Sequence, residues 1–194
     1  MRIHRILKKT YAEGPGCRFC IWVQGCAHKC PGCFAADLWD FSGGTEMSAD
    51  KIQSAIREVS TEIDGITLLG GEPFAYATEL AEIARFAHRL HKTVLTFTGY
   101  TYAELQRMPE SRGLLQETDL LIDGRFEADS LDTERPLVGS KNQRFIYLTE
   151  RISEKEILKY KDRFEIRIHK NGKAEGNGMG KITELQHFLD GGIG

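Results

Sequence analysis

Cys26, Cys30 and Cys33 stand at C-x3-C-x2-C spacing near the middle of the stretch from Gly14 to Gly44, which holds all five cysteines of the chain. Three thiolates on one short loop can bind three irons of a four-iron, four-sulfur cluster, whereas a cluster that only carries electrons usually has four cysteines. The fourth iron is then open to a ligand. The spacing also permits a structural zinc, with His28 or an upstream cysteine completing four ligands. Cys17 and Cys20 form a C-x2-C just before the loop, but two ligands do not make a second cluster. Cys20 falls in the apolar run FCIWV, where a free cysteine acts as a small hydrophobe, so both are read as buried and inert. His28 is read as a solvated loop residue. Further on, Gly70-Gly71-Glu72-Pro73 and Thr98-Gly99-Tyr100 each interrupt an apolar run, and by themselves they are plain turns.

The elements that position these residues follow from periodicity. Ile3 to Leu7 suggests a short edge strand, and Phe19 to Val23 a buried strand that runs straight into the cysteine loop. Ser48 is a candidate N-cap for a helix bearing Ile52, Ala55, Ile56, Val59 and Ile63 and ending near Asp64-Gly65. Ile66 to Leu69 reads as a strand. A helix over Thr78 to His91 presents Leu80, Ile83, Ala84, Ala87 and Leu90, and Thr93 to Phe97 supplies the next strand. Thr101 and Glu104 have the capping-box spacing that opens a short helix, closed by Pro109 and Gly113. Asp119 to Asp123 and Arg144 to Leu148 are further strands, flanking a charged, irregular loop from Phe126 to Lys141. The tail reads as a helix at Ser153 to Lys159, a strand at Phe164 to His169, a glycine-rich turn and a terminal helix from Ile182 to Leu189. Strands alternating with helices imply right-handed βαβ units and a mostly parallel sheet. About six strands, short of the eight of a closed barrel, predict a partial (β/α)6 TIM-like barrel with the cluster loop (26–33) at a strand's C-terminal end.

Composition sets outer bounds. The 194 residues suggest one domain, and 26 Lys plus Arg against 28 Asp plus Glu provide no broad basic field for a nucleic-acid backbone. The Lys and Arg of 141–173 alternate with Glu and Asp, as on a solvated face. No run of about 18 apolar residues suggests a membrane span, and the basic N-terminus lacks an apolar segment of signal length, so a cytoplasmic location is expected. Clustered, odd-numbered cysteines point to metal rather than disulfides. The run from Gly176 to Lys181 lacks phosphate-loop spacing, since position 175 is Glu and position 182 is Ile.

Several phrases occur together and in order: GPG at 14–16, WVQGC at 22–26, CPGC at 30–33 with Trp39-Asp40 after it, LLGGEPF at 68–74, TGYTYAEL at 98–105, LLIDGRF at 120–126 and GSKNQR at 139–144. In these the chain resembles the activating enzymes of anaerobic ribonucleotide reductase, members of the radical S-adenosylmethionine superfamily and relatives of the pyruvate formate-lyase activases. The resemblance implies that Cys26, Cys30 and Cys33 hold one [4Fe-4S] cluster whose open iron is chelated by the methionine end of S-adenosylmethionine. It also implies that Gly70 and Gly71 let the backbone approach that methionine, with Glu72 holding the turn or the amine. Gly32, Cys33 and Phe34 would lie along the adenine, although many superfamily members have an aromatic residue at the position of Gly32. Thr98 and Gly99 would meet the ribose, with Tyr100 capping it, and Asp123, Arg125, Asn142 and Arg144 match strand-end positions that face the cofactor in relatives. The implied reaction is reductive cleavage to a 5′-deoxyadenosyl radical that takes a hydrogen atom from a glycine of a glycyl-radical enzyme, anaerobic ribonucleotide reductase being the expected partner. A flavodoxin- or ferredoxin-type protein would donate the electron. Two rivals stand beside this reading: a stand-alone radical enzyme acting on a peptide or small molecule, and a non-catalytic iron-sulfur or zinc module.

Overall fold

The computed structural model describes residues 1–172 and 174–179. In chain order the strands are β1 (Arg2–Thr10), β2 (Arg18–Val23), β3 (Thr45–Glu46), β4 (Gly65–Gly70), β5 (Thr93–Phe97), β6 (Leu120–Asp123), β7 (Arg144–Tyr147), β8 (Phe164–Ile168) and β9 (Ala174–Gly178). The helices are α1 (Ala49–Glu58), α2 (Ala77–Arg89), α3 (Tyr102–Arg107), α4 (Arg112–Gln116) and α5 (Glu154–Lys159). The terminal helix expected from Ile182 to Leu189 lies outside the described residues.

Seven strands form one sheet in the order β3-β1-β2-β4-β5-β6-β7. The four central strands, β2, β4, β5 and β6, are mutually parallel, and the pairings outside them are antiparallel. This mostly parallel α/β sheet agrees with the alternation of elements, but the six-unit barrel is not found, and among the described residues no closed barrel forms. The connections explain the difference. Crossovers carrying α1, α2, and α3 with α4 return the chain parallel, whereas β1 reaches β2 by a short turn and β6 reaches β7 through a segment without an α-helix. A parallel return needs such a crossover, so both of these pairs are antiparallel. β8 is likewise not a strand of the main sheet. It pairs antiparallel with β9, which occupies Ala174–Gly178 where a glycine-rich turn was expected. Gly176 lies under the Phe164 ring, where an added Cβ would come within 2.6 Å, so the missing side chain is what lets the ring cover that strand.

Both faces of the sheet are buried. On one, Phe19, Ile21, Val23, Ile66, Leu68, Val94 and Leu121 meet Ile52, Ile56, Leu80, Ile83 and Ala87 of α1 and α2. On the other, Leu95, Leu120 and Ile122 meet Leu137, Val138, Ile152 and Ile157, and Cys20 and Trp22 meet Leu38. Successive residues of β2 therefore go to opposite cores, which is why its sequence is apolar without alternation. Ser48 caps α1 as expected, but the helix stops at Glu58, before the β-branched Val59 and Thr61. Ile63 still reaches the core, from the turn that follows. Thr101 and Ser153 both form full capping boxes, on α3 and α5.

The parallel register aligns the strand ends. Val23 pairs with Gly70, Leu68 with Thr96, and Phe97 with Ile122, so the C-termini of the four parallel strands share one edge. The turns that follow them are the cysteine loop, Gly71-Glu72, Thr98-Gly99 and Gly124-Arg125. An open parallel sheet presents its ligand site at this edge.

Candidate functional site

The cysteine loop leaves β2 held at its stem. Gly25 N–H donates to Leu38 O (2.8 Å), Cys26 N–H to Trp39 O (3.1 Å) and Gln24 Nε2 to Asp40 O (2.8 Å). Cys26 is buried, while Cys30 and Cys33 are partly exposed. Burial pushes the Cys26 thiol up, and the backbone N–H groups of His28 and Lys29, aimed at its sulfur, pull it back towards the thiolate. Such N–H groups suit a sulfur that ligates metal. A lone tetrahedral ion needs its ligands converged within about 2.3 Å of one point. Among the described residues no three His, Cys, Asp or Glu side chains are gathered in that way.

Beside the loop, the turn after β4 is locked to it. Gly71 N–H donates to Val23 O and Glu72 N–H to Gly25 O, both at 2.8 Å. A Cβ on Gly71 would lie 2.2 Å from Gly25 O, so the two backbones approach as closely as glycine permits. The Glu72 carboxylate is buried and accepts four hydrogen bonds. Oε1 takes Phe74 N–H (3.0 Å) and Thr98 Oγ1 (2.9 Å); Oε2 takes Gly99 N–H (2.8 Å) and His28 Nε2 (3.1 Å). Of the two roles expected for Glu72, holding the turn is the one these bonds display.

His28 corrects the sequence reading. Its side chain is 6% exposed rather than solvated, and its ring meets Tyr100 edge-on, with centroids 4.4 Å apart at 71°. A Cβ on Gly99 would fall 2.4 Å from His28 Cδ2, so glycine there admits the imidazole. A single sequence carries no signal for this pairing, because the partners arrive from the ends of β4 and β5.

Arg125, Asn142 and Arg144 line a neighbouring cavity of about 410 Å³ together with Gly99, Thr101, Gly124 and the acidic residues Glu104 and Glu127. Asp123, at the end of β6, is buried and accepts from Arg144 Nε (2.9 Å), Arg144 Nη2 (2.5 Å) and Tyr102 N–H (2.6 Å). The Asp123 carboxylate in turn raises the pKa of the Arg144 guanidinium. Asn142 donates to Arg125 O (2.7 Å), and its Oδ1 is buried without a hydrogen-bond partner. Gly32 lies against Ala128, whose Cβ would be 3.2 Å from an added Cβ, with the Phe126 ring just beyond. Phe34 is 85% exposed and is not packed onto these groups. Gly70, Gly71, Glu72, Thr98 and Gly99 are thus brought together with Cys26, while Asp123, Asn142 and Arg144 stand at the adjoining strand end and Phe34 is exposed.

Cys17 and Cys20 lie elsewhere. Cys17 precedes β2, its N–H bonded to Asp64 Oδ2 (2.7 Å), at the opposite end of the strand from Cys26. Cys20 is fully buried, and burial pushes its thiol well above the usual range.

Residues 12–146, more than half of the chain, match the family model described as a 4Fe-4S single cluster domain, which defines the class of this fold and site. The chain is 31% identical to the anaerobic ribonucleoside-triphosphate reductase-activating protein of Vibrio cholerae over 151 residues, 74% of this chain and 96% of that protein. It is 31% identical to the protein of the same name from Enterobacteria phage T4 over 150 residues (74% and 92%), and 35% identical to that of Pasteurella multocida over 140 residues (68% and 87%). The chain belongs to this family of activating proteins.

Proposed function

We propose that the chain is an iron-sulfur enzyme that reductively cleaves S-adenosylmethionine and generates a glycyl radical on a partner, anaerobic ribonucleotide reductase. The observation that carries this reading is the convergence of the cysteine loop, Gly70 to Glu72, Thr98-Gly99 and the Asp123–Arg144 pair on one edge of the parallel sheet. The activity named for the relatives supports it.

The residues fit both groups. Cys26, Cys30 and Cys33 would hold the cluster, with two backbone N–H groups already aimed at the first sulfur. For the nucleoside, the cavity has the volume of a small-ligand site, and the buried, unpartnered Oδ1 of Asn142 is an acceptor for an amine or hydroxyl donor. Gly32, Cys33 and Phe34 would flank the adenine, Gly70 and Gly71 the methionine, and Thr98 and Gly99 the ribose. Glu72 holds these turns in place from beneath. When bound, the cluster would pass an electron from the external donor to S-adenosylmethionine, which would release methionine and supply the 5′-deoxyadenosyl group for removing a glycine Cα hydrogen. The chain itself binds and orients, since hydrogen-atom abstraction requires no acid-base residue. A flavodoxin- or ferredoxin-type donor and a cytoplasmic setting complete the proposal, with residues 1–194 acting as one domain.

Anaerobic reconstitution with iron and sulfide, followed by dithionite, S-adenosylmethionine and the reductase polypeptide, tests it by electron spin resonance. The expected result is a glycyl signal with stoichiometric 5′-deoxyadenosine. Cleavage with no glycyl signal on any reductase partner would favour a stand-alone radical enzyme, and zinc without iron or sulfide would sink the proposal.

A further inference from the structure

We infer that His28 is a positioning residue that clamps the cluster loop onto the ends of β4 and β5 through Glu72, an inference that rests on the function proposed above. Among the described residues, the stretch from 27 to 32 makes one hydrogen bond to another element, the bond from His28 Nε2 to Glu72 Oε2 at 3.1 Å. The stem is anchored by Gly25 and Cys26, but the segment carrying Cys30 is not. Apart from the apolar contact of Gly32 with Ala128, its hydrogen-bonded attachment passes through the His28 side chain, and the surroundings are shaped to receive that side chain. Gly99 lacks the Cβ that would strike the imidazole, and Tyr100 closes one side of the ring.

Glu72 makes the clamp rigid because its other three bonds reach two separate elements. Phe74 N–H belongs to the turn after β4, while Thr98 Oγ1 and Gly99 N–H belong to the turn after β5. A buried carboxylate with four short donors leaves its partners no second arrangement of equal energy. Both oxygens accept from the protein, so Glu72 acts here as a positioning residue. The loop's placement relative to the two turns is thereby decided by His28 before any cofactor arrives, which is pre-organisation of the binding site.

The test uses the full-length chain, reconstituted anaerobically, in three forms: wild type, His28→Ala and His28→Gln. Glutamine places an amide N–H near the position of Nε2 and retains the donor. Two readouts are taken: hydrogen exchange of the amides of residues 27–33, and the dissociation constant for S-adenosylhomocysteine, which is not cleaved. In His28→Ala, exchange in the loop is expected to quicken and affinity to fall, each on the order of tenfold, the effect of losing a hydrogen bond to a charged group. His28→Gln restores both. Unchanged exchange and affinity in His28→Ala, or a glutamine variant as impaired as the alanine one, would overturn the clamp. If His28→Ala does not fold, the glutamine variant decides alone, wild-type behaviour supporting the clamp and impairment refuting it. A wild-type chain that takes up no four-iron cluster refutes the proposed function, and exchange in the three metal-free proteins then judges the clamp separately.

Discussion

Cys30 and Cys17 are the same residue type thirteen positions apart, yet the fold gives them opposite surroundings. Cys30 lies partly exposed on the loop beyond β2, at the ligand edge of the sheet. Cys17 is buried before β2, and the six-residue strand between it and that edge spans about 20 Å. Cys30→Ala is therefore expected to abolish cleavage of S-adenosylmethionine and to lower the iron content of reconstituted protein, while Cys17→Ala retains most of both. Iron analysis and chromatography of 5′-deoxyadenosine measure these, and an equally inactive Cys17→Ala would remove the inert reading of that cysteine. The type and spacing of Cys26, Cys30 and Cys33 were legible because all three stand within eight positions of the chain. His28 was not legible, because its role depends on a carboxylate 44 positions away.

At the scale of elements, the close approach of two turns is the feature most open to test. Gly71→Ala places a methyl 2.2 Å from Gly25 O, a backbone atom at the stem of the cysteine loop. One turn must move, at a cost of about 1–3 kcal/mol. Thermal unfolding of the metal-free variant should show this loss, and reconstituted protein should bind S-adenosylhomocysteine more weakly. A wild-type melting curve would contradict the packing described. A separate element, α3, opens on the Thr101–Glu104 capping box, and Thr101→Ala should cost about 1 kcal/mol by denaturant unfolding. This capping box was readable in advance because it is local, its two residues three positions apart. The orientation of β7 was not, since it follows from the absence of a crossover helix after β6. β9 was missed because Ala-Glu-Gly-Asn-Gly has strand form only through its pairing with β8.

Across the whole molecule, the last described strand is tied back to the start of the chain. Asn177 of β9 donates to Glu13 Oε1 (3.1 Å) and to Thr10 Oγ1 (3.0 Å), and Tyr160 OH donates to Tyr11 O (3.1 Å). Burial raises the Glu13 carboxyl from 4.5 to about 7, against the pull of the Asn177 and Gly178 N–H groups. The unfolded chain loses this proton near 4.5 and the folded chain holds it to about 7. The stability contributed by the protonated form is thus complete below 4.5 and lost as pH rises through 7, a change of about 3 kcal/mol. Glu13→Gln keeps the acceptor and removes the titration. Its melting temperature should match wild type near pH 4.5 and exceed it by roughly 5–10 °C at pH 8. An equal difference at both values would show that Glu13 does not titrate as described.

The amino-acid sequence by itself determined the spacing of the three loop cysteines, the glycine turns, the helix caps and the alternation of strands with helices. Each depends on residues a few positions apart, where spacing alone constrains geometry. The tertiary structure decided that four parallel strands, rather than six, align their ends on one edge, with antiparallel strands outside them. It also decided that Glu72 spends its four hydrogen bonds on the protein, that His28 is the loop's fastening, and that Cys17 and Cys20 are sealed away from the site. Those outcomes depend on strand register and burial, which arise only when segments distant in the chain pack against one another.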